Sequence, residues 1–357
     1  MAPTAPAQST ATAARGAKYA DGMEHSPAAA NHTVPRSSGF LDVSRVEYLL
    51  TKRCTGWCEH CAVMTEDRNP DRSYEDLDAV VAASTALYST GKVTSMMVYG
   101  GEPLLYPATV QRLFHLARTY NVPTRELITN GYFSRNPSMI ADTAVRLVDS
   151  DVTLIHLSVD AFHQSRIPLP YVEQFIAHIL GQGFTELFLH PSWVVERGHQ
   201  DHYNETTEQL LTSLVEKYGV RVSQGNDIIP AGYNRHTLSD YYPRLPDLPV
   251  QNCRDIPWAN SPDKVHSLRF LPNGDVHICR AAILGNIYQS TISDLIESYD
   301  PYPDTILSRL LDQGVEGLVD MVASSGGQID PQNYFGRCDL CADCMRFLKT
   351  SPAKQHA

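Results

Sequence analysis

Three cysteines stand within eight residues, in the run Cys54-Thr55-Gly56-Trp57-Cys58-Glu59-His60-Cys61. The spacing C-x₃-C-x₂-C allows a tight loop to point three thiolates at one site. An electron-carrying [4Fe–4S] cube normally takes four cysteines, so three ligands leave one iron open to another molecule. Zinc is the alternative, but structural zinc prefers four ligands in C-x₂-C-type pairs. Because no second pair follows nearby, the spacing favours an incompletely ligated iron–sulfur cluster.

Five further cysteines occur in the last third of the sequence: Cys253, Cys279, Cys338, Cys341 and Cys344. Asn273-Gly274 is a strong turn signal between two alternating segments, and it predicts a hairpin over 268–279 that ends at Cys279. The last three cysteines lie within seven residues. Four thiolates from this group would close a second cluster, and a four-thiolate zinc site is the alternative because it uses similar spacing.

The segment between the two cysteine groups alternates between predicted strands and predicted helices. The strands are predicted at 46–51, 95–99, 126–129, 154–159, 186–190 and 220–223. A helix capped by Ser73 and carrying Val80, Val81, Ala83 and Leu87 follows the cysteine run. Further helices are predicted at 108–120, 139–149, 171–181 and 205–218. Strands that alternate with helices of ten or more residues indicate about six parallel β-α units, too few for a closed eight-unit barrel.

The second predicted strand runs into Gly100-Gly101-Glu102-Pro103. Two glycines let the backbone approach a ligand without a Cβ clash. The carboxylate of Glu102 can accept hydrogen bonds from an ammonium group. In isolation such a run is an ordinary strand-to-helix turn, but here it lies one β-α unit after the cysteine loop.

Polar residues also follow the third and fourth predicted strands, at Asn130, Ser158 and Asp160. Functional side chains of β/α barrels gather at the carboxyl ends of the strands, so these residues are candidates for the same site. Asn130 could equally cap a helix or occupy a left-handed turn. Ser158 and Asp160 could equally cap the next helix.

The cysteine run and the Gly-Gly-Glu-Pro turn together resemble radical S-adenosylmethionine (radical SAM) enzymes. The resemblance implies a partial (β/α)6 TIM-like barrel, a [4Fe–4S] cluster on Cys54, Cys58 and Cys61, and SAM chelated to the open iron. It implies contact of Gly100, Gly101 and Glu102 with the methionyl amino group and assigns Asn130, Ser158 and Asp160 to the SAM site. The family usually has an aromatic residue near the adenine where this chain has His60.

The C-terminal part resembles the SPASM and twitch extensions of that superfamily, on its leading cysteine, the segment from Gly274 to Cys279, the run Gly285-Asn286-Ile287 and the later C-x₂-C. Full SPASM domains carry seven cysteines and two auxiliary clusters. Five cysteines imply one auxiliary [4Fe–4S] cluster, held by Cys253, Cys279 and two of the remaining three. The expected fold class is therefore α/β, a partial barrel with a small C-terminal α+β cluster-binding extension.

Composition adds the domain boundaries and the surroundings. Residues 1–42 are rich in Ala, Pro, Ser and Thr and are expected to form a disordered tail. The barrel is expected over 43–245, the auxiliary domain over 246–350 and a second tail over 351–357. Lys and Arg total 29 against 40 Asp and Glu, which gives a net charge of −11 and disfavours nucleic acid. No apolar run reaches membrane-spanning length, and reduced cysteines without an export signal indicate a cytoplasmic protein.

The predicted function is reductive cleavage of SAM to a 5′-deoxyadenosyl radical, which abstracts hydrogen from an unactivated C–H bond of a peptide or small natural product in secondary metabolism. Dehydrogenation, cross-linking and epimerisation remain open as outcomes. An electron donor such as flavodoxin or ferredoxin is the expected partner. The alternatives are a SPASM peptide or protein maturase with two auxiliary clusters and a non-catalytic iron–sulfur or zinc scaffold.

Several polar residues remain as weaker candidates. His163 could face the cavity or simply open a helix, and Arg197 could pair with the SAM carboxylate or be solvated. Residues after the sixth strand could line the substrate region: Asn226, Asp227, Tyr233, Asn234 and Arg235. His199, His202 and Tyr203 form a further polar group without an assigned role.

Overall fold

The computed structural model describes residues 39–61, 73–235, 237–245, 253–255 and 260–350, without the side chains of residues 232, 233 and 255. Eleven strands occur in these ranges. They are β1 (Leu41–Leu49), β2 (Ser95–Tyr99), β3 (Thr124–Thr129), β4 (Leu154–Ser158), β5 (Leu187–His190), β6 (Ser192–Val194), β7 (Arg221–Val222), β8 (Asn226–Ile228), β9 (Val265–Phe270), β10 (Asp275–His277) and β11 (Ile283–Asn286).

Nine of the strands form one sheet in the order β11-β10-β9-β1-β2-β3-β4-β5-β7. The seven strands from β9 to β7 run parallel, and β10 pairs antiparallel with both β9 and β11. Strands β6 and β8 form a separate parallel pair. The parallel order brings the carboxyl ends of β1 to β5 to one edge of the sheet, which is the edge that carries the predicted site residues.

Helices connect parallel strands from β1 to β7, as a parallel sheet requires. They are α1 (Leu77–Tyr88), α2 (Pro107–Thr119), α3 (Pro137–Asp149), α4 (Ala161–Gln164), α5 (Leu169–Gly181) and α6 (His202–Tyr218). Three further helices follow β11: α7 (Ile292–Ser298), α8 (Thr305–Ser324) and α9 (Arg337–Thr350). Helix α3 illustrates the packing. Its buried residues Ile140, Ala144 and Leu147 follow a helical spacing, and a buried aliphatic side chain the size of Ile or Leu contributes about 1.5–3 kcal/mol.

The predicted α/β class and its six β-α strands are confirmed, and the hairpin that leads to Cys279 is present as β9 and β10. The predicted cap of the first helix is wrong. Helix α1 begins at Leu77, and its N-cap is Asp76, whose side chain accepts a hydrogen bond from the amide of Ala79. Ser73 lies too far upstream to reach that turn.

The predicted barrel segment and the predicted C-terminal segment both contribute strands to the same sheet. Strand β1 begins at Leu41, two residues before the predicted start of the barrel, and β9 from the C-terminal part pairs directly with β1. The boundary at 245/246 and the tail at 351–357 fall outside the described residues, as does most of the tail at 1–42. A cluster-binding role for the C-terminal extension stays a prediction.

Candidate active site

The cysteine run forms a loop beyond the carboxyl end of β1. Gly56 lies between the first two cysteines, and a Cβ placed on it would meet Cys58 Sγ at 3.1 Å and Cys54 Sγ at 3.5 Å. The amide of Cys61 donates to the carbonyl of Cys58 at 3.1 Å, which closes the turn. Two sulfurs therefore face the same space above Gly56, which has no side chain of its own to fill it.

Burial raises the pKa of Cys54 to about 12, and the neighbouring carboxylate of Glu102 adds to that shift. Burial also raises the pKa of Cys58 far above its ordinary value. These thiols stay protonated in the metal-free chain. A thiolate here needs a positive partner such as a metal centre, since the thiolate is the form that ligates metals.

The two glycines after β2 allow a close approach, but to the cysteine loop. A Cβ on Gly101 would lie 2.0 Å from the carbonyl oxygen of Arg53, and one on Gly100 would lie 2.5 Å from that of Thr51. The amide of Gly101 donates to Thr51 at 2.7 Å. Gly100 has φ of 148°, which favours glycine. The glycines thus fix the loop against β2, and both also line the cavity described below.

Glu102 lies behind the cavity wall and is fully buried. Its carboxylate accepts hydrogen bonds from the Leu104 amide at 2.8 Å, the Thr129 hydroxyl at 2.7 Å and the Asn130 amide at 2.8 Å. Burial raises its pKa to about 7, although the three hydrogen bonds act to lower it. The observed role of Glu102 is to join the turn after β2 to the end of β3. Its predicted contact with an ammonium group stays a prediction.

Asn130 connects the end of β3 to the cysteine loop. Its side-chain amide donates to Thr55 Oγ1 at 3.2 Å and to Cys54 Sγ at 3.5 Å. Its side-chain oxygen accepts from the Tyr132 amide, but the left-handed conformation expected of Asn130 belongs to Gly131, whose φ is 71°. An amide that donates to a ligand sulfur stabilises the charge of a thiolate.

Asp160 is the N-cap of α4, as one interpretation of the sequence holds. It is fully buried, and its carboxylate accepts from the His163 amide at 2.9 Å, from His163 Nδ1 at 2.8 Å and from the Ser192 amide at 3.0 Å. Burial works to raise the pKa of Asp160, but His163 and His60 hold it well below its ordinary range. Ser158, at the end of β4, lines the cavity directly.

His60 and His163 meet at the cavity wall. Their ring centroids are 4.8 Å apart in an edge-on arrangement, and the His60 ring packs against Phe162 at the same distance. Burial lowers the pKa of His60 to about 4, so this imidazole is neutral at physiological pH. Its Nδ1 is buried without a hydrogen-bond partner among the described residues.

The cavity at this edge of the sheet has a volume of about 790 Å³. This is within the range of sites for small molecules and cofactors, about 300–1,000 Å³. One side is formed by the cysteine loop and the strand ends. Residues 226–231 with Asn234 also line the cavity, as does a C-terminal group, Arg280, Phe335, Gly336, Arg337, Cys338 and Asp339.

Most C-terminal residues of the wall were not predicted, and neither was His190. His190 ends β5, so the strand-end rule that identified Ser158 could have found it. Asn226, Asp227 and Asn234 line the cavity as expected, while the side chain of Tyr233 lies outside the described part. Arg197 is solvated in an exposed ion pair with Glu208.

The five C-terminal cysteines differ in how they influence one another. Burial raises the pKa of Cys341, and Cys279, Cys253 and Cys338 add to the shift, with Cys344 the weakest contributor. Cys338, Cys341 and Cys344 all lie on α9, three residues apart. This helix was not predicted from the sequence. Cys344 is fully buried, and burial and Asp343 raise its pKa, with no contribution from Cys253 or Cys279.

Comparison with known proteins identifies part of the chain. Residues 48–180 match the family model of the radical SAM superfamily. No curated protein sequence matches the chain.

Several solved structures resemble the chain. They include native anSMEcpe with bound AdoMet (15% identity, TM-score 0.45, covering 71% of this chain and 80% of that one) and BtrN in complex with AdoMet and 2-DOIA (14%, 0.43, 77% and 89%). Coproporphyrinogen III oxidase (HemN) from Escherichia coli shares 15% identity at a TM-score of 0.39, covering 57% of this chain and 47% of its own. The triad, the glycine turn, Asn130 and Ser158 all fall inside the segment that matches the radical SAM superfamily model.

Proposed function

We propose that the protein is a radical SAM enzyme that acts on a peptide or small natural product. The observation that carries this proposal is the cysteine loop itself, with two sulfurs over Gly56 at the wall of a cavity of about 790 Å³. The radical SAM superfamily implies a [4Fe–4S] cluster and SAM. When bound, these groups supply an electron and a 5′-deoxyadenosyl radical that removes hydrogen from a C–H bond.

The residues present fit such a cluster. The sulfurs of Cys54 and Cys58 face a common space over Gly56, and Cys61 lies close enough to raise the pKa of both. Because their pKa values are raised, these buried thiols stay protonated until a metal centre displaces the protons. Asn130 donates towards Cys54 Sγ, which favours the thiolate once it forms.

The residues around the cavity position a ligand and exclude water. Backbone at Gly100 and Gly101 forms one wall, Ser158 and Asn130 offer hydrogen bonds, and His60 offers a neutral ring face. Behind the wall, Glu102 accepts a hydrogen bond from the Asn130 amide at 2.8 Å, and Asp160 accepts one from the Ser192 amide at 3.0 Å. Such positioning is what a protein contributes when its cofactor carries the difficult step.

We infer that Cys253, Cys279, Cys338 and Cys341 hold one auxiliary [4Fe–4S] cluster. Cys279, Cys253 and Cys338 each raise the pKa of Cys341, which supports this set, whereas neither Cys253 nor Cys279 influences the pKa of Cys344, which supports its exclusion. Cys338 lines the same cavity as the triad, so the second centre would adjoin the bound substrate. Such a centre would supply an electron acceptor next to the substrate, which a dehydrogenation or a cross-link requires and an epimerisation does not.

The partners follow from the same proposal. A flavodoxin or ferredoxin would deliver the electron, and a cytoplasmic setting, where thiols stay reduced, would suit eight cysteines grouped as ligands. Among the described residues, no helix combines the length and apolar character that are needed to cross a membrane. The net charge of −11 gives no general basic footprint for nucleic acid.

The test is incubation of the reconstituted, anaerobically reduced protein with SAM, followed by measurement of 5′-deoxyadenosine. The wild type should form it, Cys58→Ala should not, and Cys344→Ala, which keeps both ligand sets, should form it. An intact cluster absorbance without any nucleoside product would overturn the proposal in favour of a non-catalytic scaffold. Iron content of about eight per chain supports one auxiliary cluster, against about four for the triad alone and about twelve for a two-cluster SPASM protein.

A further inference from the structure

Three side chains that can bind a metal converge beside the cysteine triad, and two of them lie outside it. Donor atoms of Cys58, His60 and His163 all lie within 4.8 Å of one another. Cys58 and His60 belong to the cysteine loop, whereas His163 belongs to α4, after β4. The overlap between this group and the iron–sulfur ligands is limited to a single residue, Cys58.

His163 is oriented as a metal ligand would be. Asp160 accepts from its Nδ1 at 2.8 Å, which leaves Nε2 as the free donor atom. A carboxylate that holds the far nitrogen of a histidine is the usual arrangement around protein zinc, where it fixes the tautomer and increases the basicity of the ligand. The carboxylate of Asp160 is itself fixed by the amide of Ser192 at 3.0 Å.

His60 contributes a second nitrogen. Its Nδ1 is buried and lacks a hydrogen-bond partner among the described residues. An unpaired buried polar atom is costly, by about 1–3 kcal/mol, and a metal ion would satisfy it. Its ring also contacts His163 edge-on at 4.8 Å, so both imidazoles border the same space as Cys58.

We propose that the chain, when no iron–sulfur cluster is present, binds one zinc-like divalent ion through Cys58, His60 and His163. One sulfur and two nitrogens with an open fourth position form a familiar tetrahedral zinc environment. Zinc–sulfur bonds of about 2.3 Å and zinc–nitrogen bonds of about 2.0–2.1 Å require donor atoms roughly 3.5 Å apart. Side-chain rotations that move the donor atoms by about 1 Å would complete the site. The thiol proton of Cys58 passes to solvent as the bond forms.

This site excludes the cluster because both need the sulfur of Cys58. A chain loaded with zinc cannot assemble the [4Fe–4S] centre until the ion leaves. Zinc and the iron–sulfur cluster therefore compete for the same loop. This inference goes beyond the proposed function because it concerns the chain without its cluster.

The test is anaerobic titration of the cluster-free, full-length chain with Co²⁺, whose tetrahedral thiolate complexes are coloured. The C-terminal cysteines also bind cobalt, so variants are compared with the wild type. Cys58→Ser and His163→Gln should each lose one equivalent of cobalt or weaken it at least about 10-fold. Cys54→Ser and His115→Gln should retain it, since His115 is an exposed residue of α2.

Two results would overturn the inference. If Cys54→Ser loses as much cobalt as Cys58→Ser while His163→Gln keeps it, the metal is held by the cysteine triad. If no variant loses cobalt, all of it lies at the C-terminal thiols. The contrast between Cys54→Ser and Cys58→Ser decides the question even if His163→Gln does not fold. SAM cleavage is measured separately on reconstituted wild type, so the proposed function and this site can fail independently.

Discussion

Asn234 donates a hydrogen bond from its side-chain amide to the backbone carbonyl of His60 at 2.8 Å. That carbonyl lies between the second and third cysteines of the triad. Asn234 is almost fully buried, and its side-chain oxygen accepts from the amide of Ala231. Thr237, three residues further, donates to the carbonyl of Glu59 at 3.0 Å. The segment after β8 therefore supports the cysteine loop from the side opposite the glycine turn.

Replacing Asn234 by Ala should loosen that support. The substitution leaves the His60 carbonyl and the Ala231 amide without their partner, which costs about 1–3 kcal/mol for each unsatisfied group. We expect lower stability in urea unfolding and faster loss of iron from the triad on exposure to chelator. Asn333→Ala, at an exposed site, is the matched control. Equal iron retention in both variants would contradict the support role.

Glu102 should make the folded state less stable as the pH rises. Its pKa increases from an ordinary 4.5 to about 7, mainly through burial. Between these values the folded protein holds a proton that the unfolded chain has released, so stability falls with rising pH across this window. A shift of this size corresponds to roughly 3 kcal/mol at most.

The Glu102 prediction is checked by measuring the free energy of unfolding from about pH 4.5 to 8 in wild type, Glu102→Gln and exposed Glu205→Gln. Buried His60 and His190, whose pKa values are lowered to about 4, titrate in the same window with the opposite sign, so the difference between wild type and variant is the quantity that reports on Glu102. Because the amide of Gln faces one of the three donors, Glu102→Gln should lose about 1–3 kcal/mol near pH 5, and this deficit should shrink as the pH rises, while Glu205→Gln follows the wild type. A deficit that stays constant with pH would assign the titration to another group.

Local patterns predicted much of the fold. The six parallel strands and the hairpin before Cys279 follow from apolar runs bounded by turn residues, and they are present. Helix α9 was not predicted, because cysteines at 338, 341 and 344 were interpreted only as ligands. Their spacing of three also places them along one side of a helix, and the sequence does not separate these two meanings.

Strand ends made part of the cavity wall predictable. Asn130 and Ser158 line the cavity because parallel strands end at one edge. The glycines at 100 and 101 also line it, but their closest contacts are with the backbone of the loop at Thr51 and Arg53. The bond from Asn234 to His60 joins positions 174 residues apart, and no single-sequence pattern reports such a contact.

The fifth C-terminal cysteine should be dispensable for iron. Cys344→Ala removes a fully buried thiol that lies apart from Cys253 and Cys279, so iron content should stay near about eight per chain, with a stability loss of about 1 kcal/mol from the small cavity. Cys341→Ala should reduce iron to about four. Iron and acid-labile sulfide assays after reconstitution make the comparison. Loss of iron in Cys344→Ala with retention in Cys341→Ala would reverse the ligand assignment.

Arg235 should contribute strongly to the stability of the joint between the segment after β8 and helix α9. Its guanidinium donates to the buried carboxylate of Asp339, lies 3.4 Å from Asp343 and packs over the ring of Tyr334 at 4.6 Å. Arg235→Met leaves Asp339 with Arg280, at 3.5 Å, as its remaining arginine partner among the described residues. Removing one partner of a buried ion pair costs about 3–5 kcal/mol, and the remaining arginine should keep the loss near the lower value.

A double variant separates charge from packing at this joint. In Arg235→Met/Asp339→Asn the unpaired carboxylate is gone, so much of the stability lost in Arg235→Met should return in urea unfolding. Arg346→Met is the matched control, because Arg346 contacts Asp343 at 2.9 Å from an exposed position and such pairs contribute little. Additive losses in the double variant would show that the ion pair does not carry the joint. Since Asp339 lies between Cys338 and Cys341, recovery of stability would show that the loss in Arg235→Met comes from an unpaired carboxylate on the helix that bears the proposed auxiliary ligands.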